Sequence, residues 1–227
     1  MTAKTFSKSE WKKIRKRLDA DPAKYGLPDR VYGSVLLASF NIRKPGSASK
    51  RNKDTWKFLA DVCRRFDLLA VQEIMDDLSG LRKLQELMGP EFSLIVSDKT
   101  GAFPGEPGVG ERLGYIFNRL IVRRTEIATD ISYDRPKVLN TICRYIDEIH
   151  EAMAPHSRKL NDYLDKLKAY NARHRTTKPK KPKFKVKMPA FITFIRTPFC
   201  VSFEINGHPG TEPYQFMAVN AHLYFGD

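Results

Sequence analysis

A mixed α+β domain carrying a helical insertion is the fold these 227 residues predict, and three features of the chain carry that reading. Two apolar, β-rich runs, 34–42 and 67–74, flank a stretch of helical periodicity, an order that fits a parallel or mixed sheet. From Leu113 strand-like runs follow one another without a helix between them. Residues 134–187 then change character, to apolar stripes at helical spacing followed by a lysine- and proline-rich run.

Taken in order, Ser7 and Glu10 have capping-box spacing, and Trp11, Ile14 and Leu18 recur at helical intervals, which predicts an amphipathic helix over 8–19. Asp21, Pro22, Gly26 and Pro28 stop it. The run from Ser34 to Ile42 is long enough for a buried strand. Trp56, Leu59, Cys63 and Phe66 share one face of a helix that starts near Asp54, and Asp67 to Ile74 is a second buried strand. A helix through Leu78, Leu81, Leu84 and Leu87 ends near Gly89 and Pro90, and Phe92 to Val96 is a short strand. Residues 99–110 form a loop rich in Gly and Pro; no Gly-Lys-Ser/Thr follows, so an ordinary loop is favoured over a phosphate cradle. Strands then cover 113–118 and 120–131. In the insertion, Ile142, Ile146, Ile149 and Met153 make one stripe and Leu160, Tyr163, Leu164, Leu167 and Tyr170 another; Pro155 between them predicts a helical hairpin. Lys178 to Lys187, punctuated by Pro179 and Pro182, predicts an extended basic linker. Strands resume at 190–196, 199–205 and 214–223. The domain reading is an N-terminal arm over 1–30, a core built from 31–133 and 188–227, and a basic insertion over 134–187.

At 41% hydrophobic residues the chain can bury a core of its own. It has no apolar run of fifteen residues, which predicts no membrane span, and its N-terminus lacks the apolar stretch of a secretory signal. Cys63, Cys143 and Cys200 are odd in number and lack Cys-x-x-Cys spacing, so they read as buried thiols of a reducing, cytoplasmic protein. The net charge of +14 is concentrated: residues 1–30 hold nine Lys/Arg against four Asp/Glu, residues 131–190 fifteen against six, and the rest cancels. Such a distribution suits an anionic partner such as nucleic acid, and it equally suits a solvated surface.

Asn41 and Glu73 close apolar strands expected to lie side by side, where strand ends converge on one crevice at the carboxyl edge of a sheet. A carboxylate with an amide oxygen beside it suits a hard cation such as Mg²⁺, which takes few protein ligands; a salt-bridged strand end is the alternative for Glu73. His222 closes another apolar strand after Asn220 and would stabilise phosphate charge if it faced that crevice, with Glu111 as the carboxylate orienting its ring. Arg196, at a strand end before Thr197 and Pro198, suits bidentate phosphate contact or a surface salt bridge. His150, His156, His174 and His208 are assigned no role.

Together these segments resemble the endonuclease/exonuclease/phosphatase superfamily, the fold of pancreatic deoxyribonuclease, abasic-site endonucleases and inositol phosphatases. Phe40-Asn41-Ile42 looks like its first-strand asparagine motif, Val71-Gln72-Glu73-Ile74 like its metal-glutamate motif, and 110–117 like the motif whose glutamate supports the catalytic histidine. Residues 196–203 are similar to its Arg-x-Pro strand and 219–223 to its catalytic-histidine strand. The resemblance implies an αββα sandwich and divalent-metal hydrolysis of a phosphodiester or phosphomonoester. It implies that Glu73 binds Mg²⁺ or Mn²⁺, that Asn41 orients metal or phosphate, that His222 supported by Glu111 stabilises the phosphorane, and that Arg196 and Asn220 contact phosphate.

The family's Asp-x-Asn, a further metal aspartate and a closing Ser-Asp-His follow the histidine strand, and none of these stands after His222 here. The expectation is therefore an incomplete sandwich, a fragment of a hydrolase that is inactive alone. A second expectation, from another class, is a catalytically dead nucleic-acid-binding module using the basic arm and insertion, with Tyr163, Tyr170 and Phe184 as candidate stacking rings. A third is an assembly role for the helical hairpin. Substrate selectivity lies in loops on this fold and is not readable from the motifs.

Overall fold

The computed structural model describes residues 6–99, 110–131, 135–173, 197–207 and 209–223, with positions 177, 179, 180 and 182. The chain divides into two compact units, Met1–Ile131 with Phe194–Asp227, and Ser132–Thr193.

In the first unit, Ser7 caps α1 (Lys8–Ala20) as its spacing predicts: its Oγ accepts from Glu10 N while the Glu10 carboxylate accepts from Ser7 N. The remaining elements are β1 (Leu37–Asn41), α2 (Lys53–Cys63), β2 (Leu68–Met75), α3 (Ser79–Met88), β3 (Phe92–Val96), β4 (Glu111–Asn118) and β5 (Val122–Asp130). After the second unit come β6 (Phe199–Ile205) and β7 (Tyr214–Asn220). They form a four-stranded sheet of order β1-β2-β4-β3 and a three-stranded sheet of order β5-β6-β7. β1 and β2 are parallel, and every other pairing is antiparallel. The class is mixed α+β, as expected.

Alternation along the strands explains the layering. From the four-stranded sheet, Leu69, Val71, Ile74 and Ile116 face one way and pack with Trp56, Ala60, Leu81 and Leu84 of α2 and α3. Leu68, Leu113, Tyr115 and Phe117 face the other way and pack with Val122, Phe199, Val201 and Phe203 of the second sheet. Phe203 is fully buried, with Tyr115 and Phe117 edge-on to it at 5.3 and 5.5 Å. Removing such a ring from a packed core costs about 3–5 kcal/mol.

The N-terminal arm is docked and not free. Trp11 packs tilted against Phe58 at 5.5 Å, Arg15 pairs with Asp61 at 3.1 Å, and Arg65 pairs with Asp19 at 2.7 Å. Buried Asp67, which the sequence reading passed over, receives both Arg30 nitrogens (2.9 and 3.0 Å) and Leu36 N (2.9 Å), fixing the entry to β1 and β2. Pairing with Asp67 in turn raises the Arg30 pKa.

The second unit holds α4 (Arg135–Arg144) and α5 (Ile146–Arg173). The break expected at Pro155 falls instead at Tyr145, and Pro155 lies inside a continuous α5. Pro155 is exposed, as is Glu151 one turn before it, so the carbonyl deprived of its helical donor lies on a solvent-facing side of α5. Cys143 is exposed, contrary to expectation, whereas Cys63 and Cys200 are buried free thiols. Burial pushes the Cys63 thiol up to about 12. No described helix is long and apolar enough to cross a membrane. The glycine-rich loop over 100–109, most of the basic linker with Phe184, the strand expected at 190–196 with Arg196, His174 and His208 lie outside the described residues.

Candidate active site

The site begins with a fault in β2. Up to Val71 its side chains alternate regularly between the two cores. Val71 then pairs with Gly114 and Ile74 with Arg112, so Gln72 and Glu73 together oppose Leu113 alone, a β-bulge. Glu73 takes φ 59°, the left-handed region that a glutamate seldom adopts. The extra residue resets the alternation. Val71 and Ile74 both reach the helix-side core, although strict alternation would bury Glu73 there. Glu73 is turned out to the carboxyl edge of β2, beside the end of parallel β1.

Asn41 waits there. Its register partner is Gln72, and its Nδ2 donates to Glu73 Oε1 at 2.8 Å. Its Oδ1 accepts from Arg43 N at 2.8 Å, so Asn41 orients the Glu73 carboxylate and is less open as a metal ligand than expected. That bond begins a turn in which Arg43 and Lys44 have φ 52° and 56°. Arg51 holds the turn by donating to the carbonyls of Ile42 and Arg43, its guanidinium lying over the Trp56 ring at 5.2 Å. Burial, with Arg43 adding repulsion, lowers the Arg51 pKa.

His222 arrives from the second sheet. β7 stops at Asn220, so the histidine stands two residues past the strand and not on it. Its Nε2 lies 3.9 Å from Glu73 Oε1 and its Nδ1 3.9 Å from Glu111 Oε2, with 23% of the side chain exposed. Both distances exceed a hydrogen bond and are within a small shift of one. His222 Nδ1 is shielded from solvent, has no hydrogen-bond partner among the described residues, and faces the Glu111 carboxylate. Lys44 Nζ approaches the other side of Glu111 at 3.8 Å.

Asn220 has a different place from the one expected. It is 2% exposed, its Nδ2 donates to Val71 O (3.0 Å) and Gly114 O (2.9 Å), and its Oδ1 accepts from Gln72 Nε2 (2.8 Å). With its amide spent on these bonds, it ties the end of β7 to the bulge and is not available to phosphate. Gln72 Nε2 also reaches Ser39 Oγ at 3.1 Å. A side chain at Gly114 would strike Ile74 and the Ile95 carbonyl at 2.8 Å, so only glycine lets β4 pass this close. The signal for the clasp was present in the sequence, a glutamine inside an otherwise apolar strand.

Asn41, Glu73, Glu111 and His222 therefore converge from β1, β2, β4 and the chain after β7. No family model matches this chain, and no curated protein matches it. The cation the resemblance implies suits the donors present: a carboxylate oriented by Asn41, with a second carboxylate across the imidazole. Among the described residues no three His, Cys, Asp or Glu side chains enclose an ion. Mg²⁺ does not ask for that, since one or two carboxylates with water and substrate phosphate complete its shell.

Proposed function

We propose that this site belongs to a divalent-metal phosphoester hydrolase on a deoxyribonuclease-like αββα framework. The observation that carries the reading is the strained bulge that swings Glu73 out beside Asn41, with His222 lying 3.9 Å from both Glu73 and Glu111. A conformation costing roughly 1–3 kcal/mol persists where a site has use for it.

Glu73 is the residue to hold Mg²⁺ or Mn²⁺, with Asn41 fixing the carboxylate's orientation. Bound there, the cation would supply charge neutralisation to a phosphoryl group. His222, with a carboxylate on each flank, is set to donate a hydrogen bond to a phosphate oxygen as charge builds on it. Glu111 fixes the ring, and Lys44 beside Glu111 offers a cation to the same anion. Arg196 keeps its proposed part as a phosphate contact.

Mn²⁺ titration followed by electron paramagnetic resonance tests this reading. Glu73→Gln keeps the shape of the side chain and removes its charge, and is expected to weaken Mn²⁺ by tenfold or more. Any phosphodiester turnover should vanish in the same variant. Equal Mn²⁺ affinity in wild type and Glu73→Gln would sink the proposal.

A further inference from the structure

α1 is more heavily charged than its docking requires. Arg15 and Asp19 are spent on α2 and on Arg65 two residues past its end, Arg15 through Asp61. Lys8, Lys12, Lys13, Lys16 and Arg17 are all exposed and have no acidic partner among the described residues. Lys8, Lys12 and Lys16 succeed one another at four-residue intervals, about 6 Å apart along one helix face. Like charges at that spacing destabilise a helix by a few tenths of a kcal/mol per pair. The three border a shallow cavity of about 670 Å³ whose other lining includes Trp11, Arg15 and Asp54.

The direction of α1 gives this stripe its meaning. α2 connects the carboxyl end of β1 to the start of the parallel strand β2, so it runs back against both. Its N-terminus therefore lies at the edge that carries Asn41 and Glu73. The contacts Trp11–Phe58, Arg15–Asp61 and Asp19–Arg65 advance together, so α1 runs parallel to α2. The Lys8 end of the stripe thus points toward the same edge of the sheet as the candidate site, and Lys12 and Lys16 lead away from that edge. Exposed Lys50 and Lys53, at and just before the start of α2, belong to the same end.

The geometry points to α1 as a phosphate-tracking surface for a nucleic-acid strand that extends from the candidate site, with Lys8, Lys12 and Lys16 gripping successive backbone phosphates. Naming the strand as substrate rests on the hydrolase reading; the binding surface itself does not. A lipid surface fits poorly, because insertion needs a free apolar helix face and α1 buries Trp11 and Leu18. A strand of phosphates suits evenly spaced, unpaired ammonium groups.

The test is fluorescence anisotropy of a labelled single-stranded oligonucleotide against the whole chain in EDTA, repeated across a salt series. The variants are K8A/K12A/K16A and, as rescue, K8R/K12R/K16R. Losing three phosphate contacts at about 0.7 each should reduce the slope of log K against log salt by about 2, and the arginine variant should restore it. An unchanged slope and affinity in the alanine variant overturns the inference. So does wild-type binding to polyglutamate or to phosphatidylserine vesicles as tight as to the oligonucleotide and equally dependent on the three lysines. Failure of Mn²⁺ binding with a normal lysine effect removes the hydrolase reading and leaves the surface standing; the reverse removes the surface alone.

Discussion

Glu73 does two jobs that conflict. As a strand residue it should sit in the extended region, and as the site's carboxylate it must leave the plane of alternation. The chain resolves the conflict by inserting one residue and accepting φ 59°. Glycine has no Cβ to clash in that conformation, so Glu73→Gly should relieve strain while deleting the carboxylate. The expected outcome is about 1 kcal/mol of added stability in urea unfolding, together with loss of Mn²⁺ binding. A destabilised Glu73→Gly would mean that the Asn41 and His222 contacts outweigh the backbone cost. The strain was invisible in the sequence, because Val71-Gln72-Glu73-Ile74 reads as an unbroken run and a bulge leaves no local mark beyond the glutamine.

Elements meet at Asn220. One amide at the end of β7 donates to carbonyls of β2 and β4 and accepts a hydrogen bond from Gln72, so the two sheets are registered where the site is built. Asn220 is a positioning residue: it holds the bulge and sets where the chain leaves β7 for His222. Asn220→Ala removes the shortest bond of the Gln72 amide and a buried donor from each of two backbone carbonyls, and buried groups left short of partners cost about 1–3 kcal/mol each. We expect a loss of about 2–4 kcal/mol by chemical unfolding, allowing for relaxation, and weakened Mn²⁺ binding under native conditions, although Asn220 touches no cation. Asn220→Asp, which cannot donate to Val71 or Gly114, should behave similarly. Native-like metal affinity in Asn220→Ala would show that the bulge holds itself. Asn41, Glu73 and Glu111 were legible at or near the ends of apolar strands, because strand ends and apolar runs are local properties, whereas His222 stands past the end of β7. Asn220's part was not legible, because it is a pairing across more than a hundred residues.

At the scale of the molecule, the strand order explains how one chain carries a helical unit in the middle of a sheet. Asp130 pairs with Phe199, and Ile131 N donates to Pro198 O at 2.8 Å, so β5 and β6 are the two arms of an antiparallel hairpin. The chain between these two strands carries the second compact unit, Ser132–Thr193. The composition shift over 134–187 lies inside the second compact unit, Ser132–Thr193. The break at Tyr145 was not legible, since a proline inside a helix is tolerated on the solvent side and the sequence does not state which side that is. A hairpin tip accepts insertion or removal cheaply, because closing a longer loop costs only about 0.6 kcal/mol per doubling. Replacing 132–193 by Gly-Asn joins the two arms directly and keeps Arg196 in the chain. That variant should unfold cooperatively, retain the near-ultraviolet circular dichroism of its packed Tyr115 and neighbouring rings, and bind Mn²⁺ as the whole chain does. A molten or insoluble product would mean that the first unit depends on the second for its stability.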